Sequence, residues 1–215
     1  STVARCIARL IEPSAGEIRV AGADVATLST RALHPHRRRI QIVFQDPYRS
    51  LNPRRTIGAS LIEGPVNYGE APSAATARAR EMLGFVGVDA TAIDRYPHQF
   101  SGGQRQRICI ARALLMEPEV LIADEAVSAL DVSVQAQVLD LLERIRADFG
   151  LAVLFITHDL RVAAQIADRI LVMKDGEVVE TGPTFDVFQT PRHPYTRTLI
   201  TAAPGRDWST QREAS

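Results

Sequence analysis

The sequence has few cysteines, a single lysine, no net charge and no long apolar run. Its 215 residues include 25 Lys or Arg and 25 Asp or Glu, so the formal charge at neutral pH is zero. A neutral chain has no overall field that would attract nucleic acid or an anionic membrane surface. No apolar run approaches the roughly 18 residues of a membrane-spanning helix. Partners must therefore be recognised by local sites.

Cysteine is too sparse to build a disulfide framework or a metal site. Cys6 and Cys109 each lie inside an apolar helical pattern, without metal-ligand spacing. We interpret both as small buried residues, a use of cysteine that fits a reducing, cytoplasmic setting. Lysine is scarcer still, because Lys174 is the only one and the remaining basic charge is arginine.

Short apolar runs alternate with helical patterns, which is typical of an α/β fold. Buried strands are predicted at 40–45, 120–124 and 151–158. The helix between the last two has its apolar residues on one face, which predicts a right-handed parallel crossover in a sheet buried on both sides. From Thr56 to about Tyr96 the strand signals disappear, and two alanine-rich helical stretches predict an inserted helical lobe.

The remaining segments predict a hairpin and a helical tail. The hairpin is expected to turn at Asp175-Gly176, and two short helices are expected from Pro183 onward, divided near residues 191–194. The basic run Arg37–Arg39, ahead of the first buried strand, is interpreted as a solvated edge, with a functional contact as the less favoured alternative.

The first candidate site lies in the segment FSGGQRQRICIARALLM. Ser101, Gly102 and Gly103 stand where a loop becomes a helix. Glycines let backbone N–H groups approach an anion, the helix N-terminus adds partial positive charge, and the Ser101 hydroxyl can donate a hydrogen bond. This pattern predicts a phosphate site. The alternative is a serine N-cap with glycines for a tight turn, which is the commoner case for SGG alone.

The second candidate site is the pair Asp124-Glu125, which ends the apolar strand VLIAD. Ligands of parallel sheets bind at the carboxyl edge of the strands, so both carboxylates are expected there. One carboxylate can hold Mg²⁺, and its neighbour can orient a water molecule or take its proton. Strands also end in solvated acids that have no such role.

Two further polar residues are predicted at the same edge. His158 ends the strand 151–158, where its imidazole could donate a hydrogen bond to a phosphate oxygen, although a histidine after a strand is more often structural. Gln45 ends the strand 40–45, and its amide could reach both a metal ion and an attacking water molecule. Taken alone, Gln45 would indicate nothing.

Together, these residues resemble the nucleotide-binding domain of ATP-binding cassette (ABC) transporters, and the resemblance covers essentially the whole chain. In chain order, Gln45 resembles the Q-loop glutamine, Ser101–Gln104 the signature motif, 120–125 the Walker B strand, 128–131 the D-loop and His158 the switch histidine. The sequence departs from the usual pattern at Phe100, where leucine is common, and at Ala126-Val127, where Pro-Thr is common. These departures lie beside the chemistry.

The resemblance implies an α/β fold of the P-loop NTPase (RecA-like) class, with a parallel-sheet core and an inserted α-helical subdomain. Residues 1–55 and 106–182 would form the core. Residues 56–105 would form the helical subdomain with the signature motif, and 183–215 a tail of the peptide-importer type.

The resemblance also implies the start of a phosphate loop at Ser1-Thr2. These residues, followed by VARCIARL, resemble the last two positions of G-x-x-x-x-G-K-[ST] and the helix that this motif opens. The chain is then expected to be a fragment, truncated within the motif. Lys174, in a predicted hairpin, is not expected to replace the missing lysine. We therefore expect the 215-residue chain alone to show neither ATPase activity nor micromolar Mg-ATP binding.

ATP and Mg²⁺ are the cofactors that the resemblance implies. It gives Glu125, His158 and Gln45 catalytic roles, and it assigns the metal to Ser1, Gln45 and Asp124. Nucleotide contacts would come from the following residues of one subunit or of its dimer partner: Ser1, Thr2, Ser101, Gly102, Gly103, Gln104 and Asp131.

Two segments resemble one branch of the family, the ATPase subunits of dipeptide, oligopeptide and nickel importers. They are 44–58 and 191–204, and the second contains His193–Tyr195. The resemblance implies an ATP-hydrolysing subunit of a di- or oligopeptide importer, peripheral at the cytoplasmic face of the membrane. Its partners would be a transmembrane permease, a second ATPase subunit in a head-to-tail dimer and, indirectly, an extracytoplasmic substrate-binding protein, with no nucleic acid.

Two alternatives from other classes stay open at this point. One is a soluble cassette ATPase that acts on nucleic acid or ribosomes, although the tail and the neutral charge do not favour it. The other is a non-catalytic remnant that folds but cannot hold ATP.

Overall fold

A computed structural model describes residues 1–203, which fall into two compact units. The first unit is Ser1–Ile156, and the second begins at Thr157. The predicted tail 183–215 is described as far as Ala203, and its last part, 204–215, lies outside the described residues.

Helices and strands alternate along the chain, which confirms the predicted α/β class. The strands are β1 (Arg19–Val20), β2 (Ala23–Asp24), β3 (Ile40–Val43), β4 (Val120–Asp124), β5 (Ala152–Ile156), β6 (Arg169–Lys174) and β7 (Glu177–Pro183). The helices are α1 (Thr2–Ile7), α2 (Thr30–Arg39), α3 (Pro47–Ser50), α4 (Ile57–Asn67), α5 (Pro72–Phe85), α6 (Gly102–Leu114), α7 (Val132–Phe149), α8 (Leu160–Ile166), α9 (Thr184–Gln189) and α10 (Pro194–Ala202).

The first unit contains a parallel sheet with the strand order β3-β4-β5. In this sheet Val43 pairs with Ala123, and Asp124 pairs with Ile156. The central strand β4 is the most deeply buried of the three, as its continuous apolar run predicts. The strands β3 and β5 end two residues before the predicted limits, so Gln45 and His158 both lie beyond their strands.

Helix α7 joins β4 to β5 as the predicted parallel crossover. Asp131 caps its N-terminus, since its carboxylate accepts a hydrogen bond of 3.0 Å from the N–H of Val134. Gly150 ends the helix in the left-handed conformation, at φ 61°. Val138 and Ile145 are fully buried on the face that the periodicity predicts.

The predicted helical lobe is formed by α4 and α5, followed by 3-10 turns at Ala90–Asp94 and Pro97–Gln99. Its buried residues come from both helices and include Ile57, Leu61 and Leu83, all at 0% exposure. After the lobe, α6 returns the chain to the sheet. Cys109 of α6 is buried as expected, whereas Cys6 of α1 is only half-buried.

A small apolar core anchors α1 to the parallel sheet. Ala4 is fully buried against a cluster that includes Val25, Leu33 and Ile122. Because Ile122 belongs to the central strand, this packing fixes the N-terminal end of α1 beside the carboxyl end of β4. Ser1 is the N-cap of α1, so the same packing determines where its side chain lies.

Helix α2 contains the predicted solvated basic edge at Arg37–Arg39, in which Arg37 and Arg39 are exposed and Arg38 is half-buried. These residues form the last turn of the helix, and Arg38 donates a hydrogen bond of 2.7 Å to Glu117. Arg39 lies 3.2 Å from Glu119, the residue before β4. Both arginines are partly exposed but paired, because α2 ends next to the segment that leads into the central strand.

The second unit contains the predicted hairpin, formed by β6 and β7 around Asp175-Gly176. Both turn residues have positive φ, 52° and 89°, as a tight two-residue turn requires. The two predicted tail helices are α9 and α10. Helix α8, which no sequence pattern predicted, begins after the cap residue Asp159.

The carboxylate of Glu180 in β7 holds the beginning of α10. It accepts hydrogen bonds from the main-chain N–H groups of Arg192, at 2.8 Å, and His193, at 3.1 Å. Desolvation raises the pKa of Glu180, but these N–H groups, together with Thr196 and His193, outweigh that effect and leave the pKa below its ordinary value. His193 caps α10 by accepting a hydrogen bond from Tyr195.

Candidate functional site

Ser1 and Asp124 meet at the carboxyl edge of the parallel sheet, although 123 positions separate them in the chain. The Ser1 hydroxyl donates a hydrogen bond of 3.0 Å to Oδ1 of Asp124. Asp124 is only 5% exposed, because it is the last residue of the buried strand β4. A hydroxyl beside a carboxylate offers the oxygen ligands that Mg²⁺ prefers.

Ser1 and Asp124 are too few to hold a metal ion alone, but they fit a metal ion that is also bound by a phosphate ligand. Within residues 1–203, no group of three or more His, Cys, Asp or Glu side chains could hold a metal ion. Mg²⁺ is usually bound by one or two carboxylates together with phosphate oxygens and water, and rarely by an all-protein cage. The pair Ser1 and Asp124 is therefore suited to Mg²⁺ that arrives with a phosphate ligand.

Glu125 turns away from the strand in an uncommon backbone conformation. Its φ is 51°, and its N–H donates a hydrogen bond of 2.9 Å to the carbonyl of Ile156 in β5. Non-glycine residues at such φ values are uncommon and concentrate at functional sites. This turn makes Glu125 half-buried at the sheet edge, next to the buried Asp124.

Ser128, which lies in the segment 128–131 that resembles the D-loop, supports Glu125. Its hydroxyl donates a hydrogen bond of 3.0 Å to the carbonyl oxygen of Glu125 and lies 3.5 Å from the carboxylate oxygen Oε2. The only sequence signal for this contact was the close spacing of the two residues.

Ser101 and Gln104 form a reciprocal capping box at the start of α6. The Ser101 hydroxyl accepts a hydrogen bond of 3.3 Å from the N–H of Gln104, whose side chain accepts one of 3.0 Å from the N–H of Ser101. The N-cap alternative is therefore what the structure contains. The box does not use the N–H groups of Gly102 and Gly103, so a phosphate contact at these glycines stays a prediction.

Close packing explains the glycine at position 103. A Cβ atom there would overlap the side chain of Val134 in α7, and one at Gly102 would lie 3.7 Å from the hydroxyl of Tyr48. The start of α6 is thus pressed against the start of α7. Asp131 caps α7, and the hydrogen bonds from Val134 and Ser133 hold the pKa of its carboxyl below the ordinary value. A nucleotide contact from Asp131 stays a prediction.

The remaining predicted site residues are Gln45, Thr2 and His158, and the structure places each of them differently relative to Asp124 and Glu125. Gln45 is exposed two residues beyond β3, at the same carboxyl edge as Asp124, because Val43 pairs with Ala123. Thr2 is exposed at the first position of α1. His158 follows β5 by two residues but belongs to the second unit, so its arrangement with Glu125 stays a prediction.

The sequence matches two families of known proteins. Residues 1–128 match the family described as ABC transporter, and residues 179–214 match the one described as oligopeptide/dipeptide transporter, C-terminal region. The first match covers more than half of the chain.

Similar proteins are named as import ATP-binding proteins. A Brucella ovis protein named as a peptide import ATP-binding protein is 51% identical over 208 residues, which cover 96% of this chain and 66% of that protein. The glutathione import ATP-binding protein GsiA of Escherichia coli is 52% identical over 213 residues, covering 99% of this chain and 34% of GsiA. The chain thus spans less than two thirds of the length of these relatives.

Solved structures share the fold. The ATP-binding cassette MJ0796, in a dimeric post-hydrolysis state bound to ADP and Pi, has a TM-score of 0.75 at 31% identity, covering 85% of this chain and 79% of that one. The protein cbiO1 of Clostridium perfringens, part of the ABC transporter complex cbiONQ, has a TM-score of 0.78 at 28% identity, covering 94% and 79%.

Proposed function

The chain belongs to the ABC transporter family, with a P-loop NTPase fold, and from that premise we propose that it forms the Mg-ATP-binding and hydrolytic part of an importer's ATPase subunit. The observation that carries this proposal is the hydrogen bond of 3.0 Å between Ser1 and Asp124, directly beside Glu125. It places a hydroxyl and a carboxylate, both suited to bind a metal ion, at the sheet edge where the half-buried carboxylate of Glu125 also lies.

Each residue at the edge has a distinct role in the proposed reaction. Ser1, Asp124 and Gln45 hold Mg²⁺, which when bound neutralises negative charge on the β- and γ-phosphates. Glu125 orients the attacking water and accepts its proton, a role that suits a carboxylate held by backbone contacts to β5 and Ser128. For His158, which belongs to the second unit, the family resemblance implies a hydrogen bond to a γ-phosphate oxygen.

The proposed active form is a head-to-tail dimer, in which Ser101–Gln104 and Asp131 of one subunit complete the nucleotide site of the other. Two observations support this arrangement. Ser101 and Gln104 are exposed at the start of α6, and the related cassette MJ0796 is dimeric with ADP and Pi bound.

The importer branch is proposed from the tail and from the relatives' names. Residues 179–214 match the oligopeptide/dipeptide transporter family, and the Brucella ovis relative carries a peptide import name. We therefore propose di- or oligopeptides as the transported class. The chain itself would not contact this cargo, which an extracytoplasmic binding protein would deliver to the permease.

The permease is proposed to contact the helical lobe. A groove of about 340 Å³ is lined by Glu63 and Asn67 of α4 and by Arg37 and Gln41 of the core. A cytoplasmic segment of the permease would seat where lobe and core meet, so that closure of the ATPase dimer moves the transport path. Within residues 1–203, no helix has the length and apolar character to cross a bilayer. The proposed location is peripheral, at the cytoplasmic face of the membrane.

The 215-residue chain alone is proposed to bind Mg-ATP weakly, because its only lysine is engaged elsewhere. Lys174 ends β6, and its ammonium lies 5.2 Å from the ring centre of Tyr195. A phosphate-loop lysine and glycine amides supply charge-assisted hydrogen bonds worth about 1.5–3 kcal/mol each. Titration of Mg-ATP into this chain and into the full-length subunit would compare their affinities, and micromolar binding by the chain alone would contradict the expectation.

The proposed hydrolytic role is tested by Glu125→Gln in the full-length subunit. The substitution keeps Asp124 and removes the group that accepts the proton, so turnover should fall about 100-fold or more while Mg-ATP affinity is retained. Glu81→Gln, at an exposed position of α5, is the matched control. Turnover near the parental rate in Glu125→Gln would overturn the assignment.

A further inference from the structure

The carboxamide of Gln106 is completely buried between α6 and the end of β3. Gln106 has 0% exposure, and its Nε2 donates a hydrogen bond of 3.4 Å to the carbonyl oxygen of Phe44. Its Oε1 has no hydrogen-bond partner among residues 1–203. A buried amide with one unsatisfied oxygen is unfavourable, and an aliphatic side chain would avoid that penalty. The contact to Phe44 is what the polar side chain provides.

The carbonyl of Phe44 lies where the chain leaves the parallel sheet. The ladder between β3 and β4 ends at Val43, which pairs with Ala123, so Phe44 is the first residue past the ladder. Phe44 is half-buried, and past the ladder its carbonyl can be satisfied within the protein only by a donor from outside the sheet. Gln106 is that donor, and the peptide that it holds directly precedes Gln45.

Helix α6 also holds the chain on the other side of Gln45. The guanidinium of Arg105 lies 4.0 Å from the ring centre of Tyr48, and Arg112 donates a hydrogen bond to the carbonyl of Ser50. Both contacted residues belong to α3, which begins directly after the cap residue Asp46. Gln45 thus sits on a short segment that is attached to one helix at both ends.

We propose that Gln106 is the positioning residue for Gln45, which it ties through the Phe44 carbonyl to the helix that begins at Ser101. This inference rests on the proposed function, because only that proposal gives Gln45 its role of contacting Mg²⁺ and the attacking water. A displacement of α6, when its N-terminus meets a partner, then moves the Phe44 carbonyl and with it Gln45. The signature motif Ser101–Gln104 and the metal ligand Gln45 therefore move together.

The test compares Gln106→Leu and Gln106→Asn with the parental full-length subunit. Leucine keeps much of the buried volume without the amide, and asparagine keeps the amide but is one methylene too short to reach Phe44. The matched control is Gln135→Leu, at a half-buried position of α7. Hydrogen exchange of the backbone amides over 44–48 is measured without nucleotide, and kcat and KM for ATP are then measured separately.

Both Gln106 variants should exchange the amides of 44–48 about tenfold faster, with β4 and α6 unchanged, because one anchoring hydrogen bond is lost. The value of kcat should fall about tenfold while KM for ATP stays within about twofold, since the substrate site keeps Ser1 and Asp124. The control should match the parent in both measurements.

Three results would overturn the proposal. One is unchanged exchange over 44–48 in either folded variant, and another is an equal fall in kcat in the Gln135→Leu control. The third is loss of protection throughout the fold in both Gln106 variants, which would make Gln106 a residue of general stability. A parental subunit without ATPase activity would contradict the proposed function instead, and the exchange measurement would still decide the role of Gln106.

Discussion

Arg38 donates a hydrogen bond of 2.7 Å to Oε2 of Glu117, which joins the end of α2 to the turn after α6. The other carboxylate oxygen of Glu117 lies 2.8 Å from Arg78 in α5, so one side chain connects the sheet core to the helical lobe. Glu117 has a left-handed backbone, at φ 52°, and its side chain is 58% exposed. Exposed pairs add little stability, so this contact should contribute little to the free energy of unfolding.

Replacing Glu117 by Gln should therefore change thermal stability only slightly. The two exposed ion pairs are worth at most about 1 kcal/mol each, and high salt should abolish the difference from the parent. Thermal unfolding at low and high salt measures the effect, with Glu119→Gln as the control that removes a single pair, to Arg39. A large loss of stability that persists in high salt would show that the contact is not a screened surface pair.

Asp124→Asn should raise the Mg²⁺ concentration needed for half-maximal ATPase activity by about tenfold or more, because an amide is a weaker ligand for a hard cation than a carboxylate. The measurement is a Mg²⁺ titration of ATPase activity in the full-length subunit. Asp140→Asn, at an exposed position of α7, is the control. An unchanged Mg²⁺ requirement would remove Asp124 from the proposed metal site.

Two glycine-to-alanine changes should have opposite signs. Gly103→Ala would place a methyl group against Val134, and overpacking of this kind costs about 1–3 kcal/mol. Gly84→Ala, near the end of α5, meets no atom within 4 Å and should stabilise the chain by up to about 1 kcal/mol through its helix propensity. Denaturant unfolding of both variants measures the two changes. Equal changes in the free energy of unfolding for the two variants would mean that the side chain of Val134 moves aside at no cost.

Acidification should release the start of α10. The pKa of Glu180 is depressed in the folded chain, so its contribution to stability is present above the ordinary carboxyl value of about 4.3 and is lost as the pH falls through the lower folded value. Amide exchange of Arg192 and His193, measured from pH 6 downward and corrected for intrinsic rates, should show this step. Glu180→Gln should flatten the step, and Glu177→Gln in the same strand should keep it.

The elements that the sequence predicts best are those with a long, regular apolar pattern. The run at 120–124 gives β4 with its correct limits, and the periodicity of α7 gives its buried face. The predicted strand 151–158 is too long, because the chain leaves the sheet at Ile156, and an apolar run does not record where pairing ends. Helix α2 had no prediction, since Pro35 and the basic run mask its pattern.

The candidate site was predictable only in part, for the same physical reason. Local patterns placed Asp124 and Glu125 at a strand end, but only the resemblance to a family pointed to Ser1, since 123 positions separate it from Asp124. Nothing in the local pattern marked Gln106, because a glutamine in an amphipathic helix is ordinarily exposed. Its burial depends on β3 and α3, which the local sequence of α6 does not describe.

The two thiols differ in burial, so a thiol-reactive label should attach selectively to α1. Burial raises the pKa of Cys109 to about 11, so this thiol carries almost no thiolate at neutral pH. Cys6 is half-buried in the helix that Ser1 caps. A maleimide fluorophore should therefore react at Cys6 first and report on events about one helical turn from the proposed metal site without any engineered cysteine.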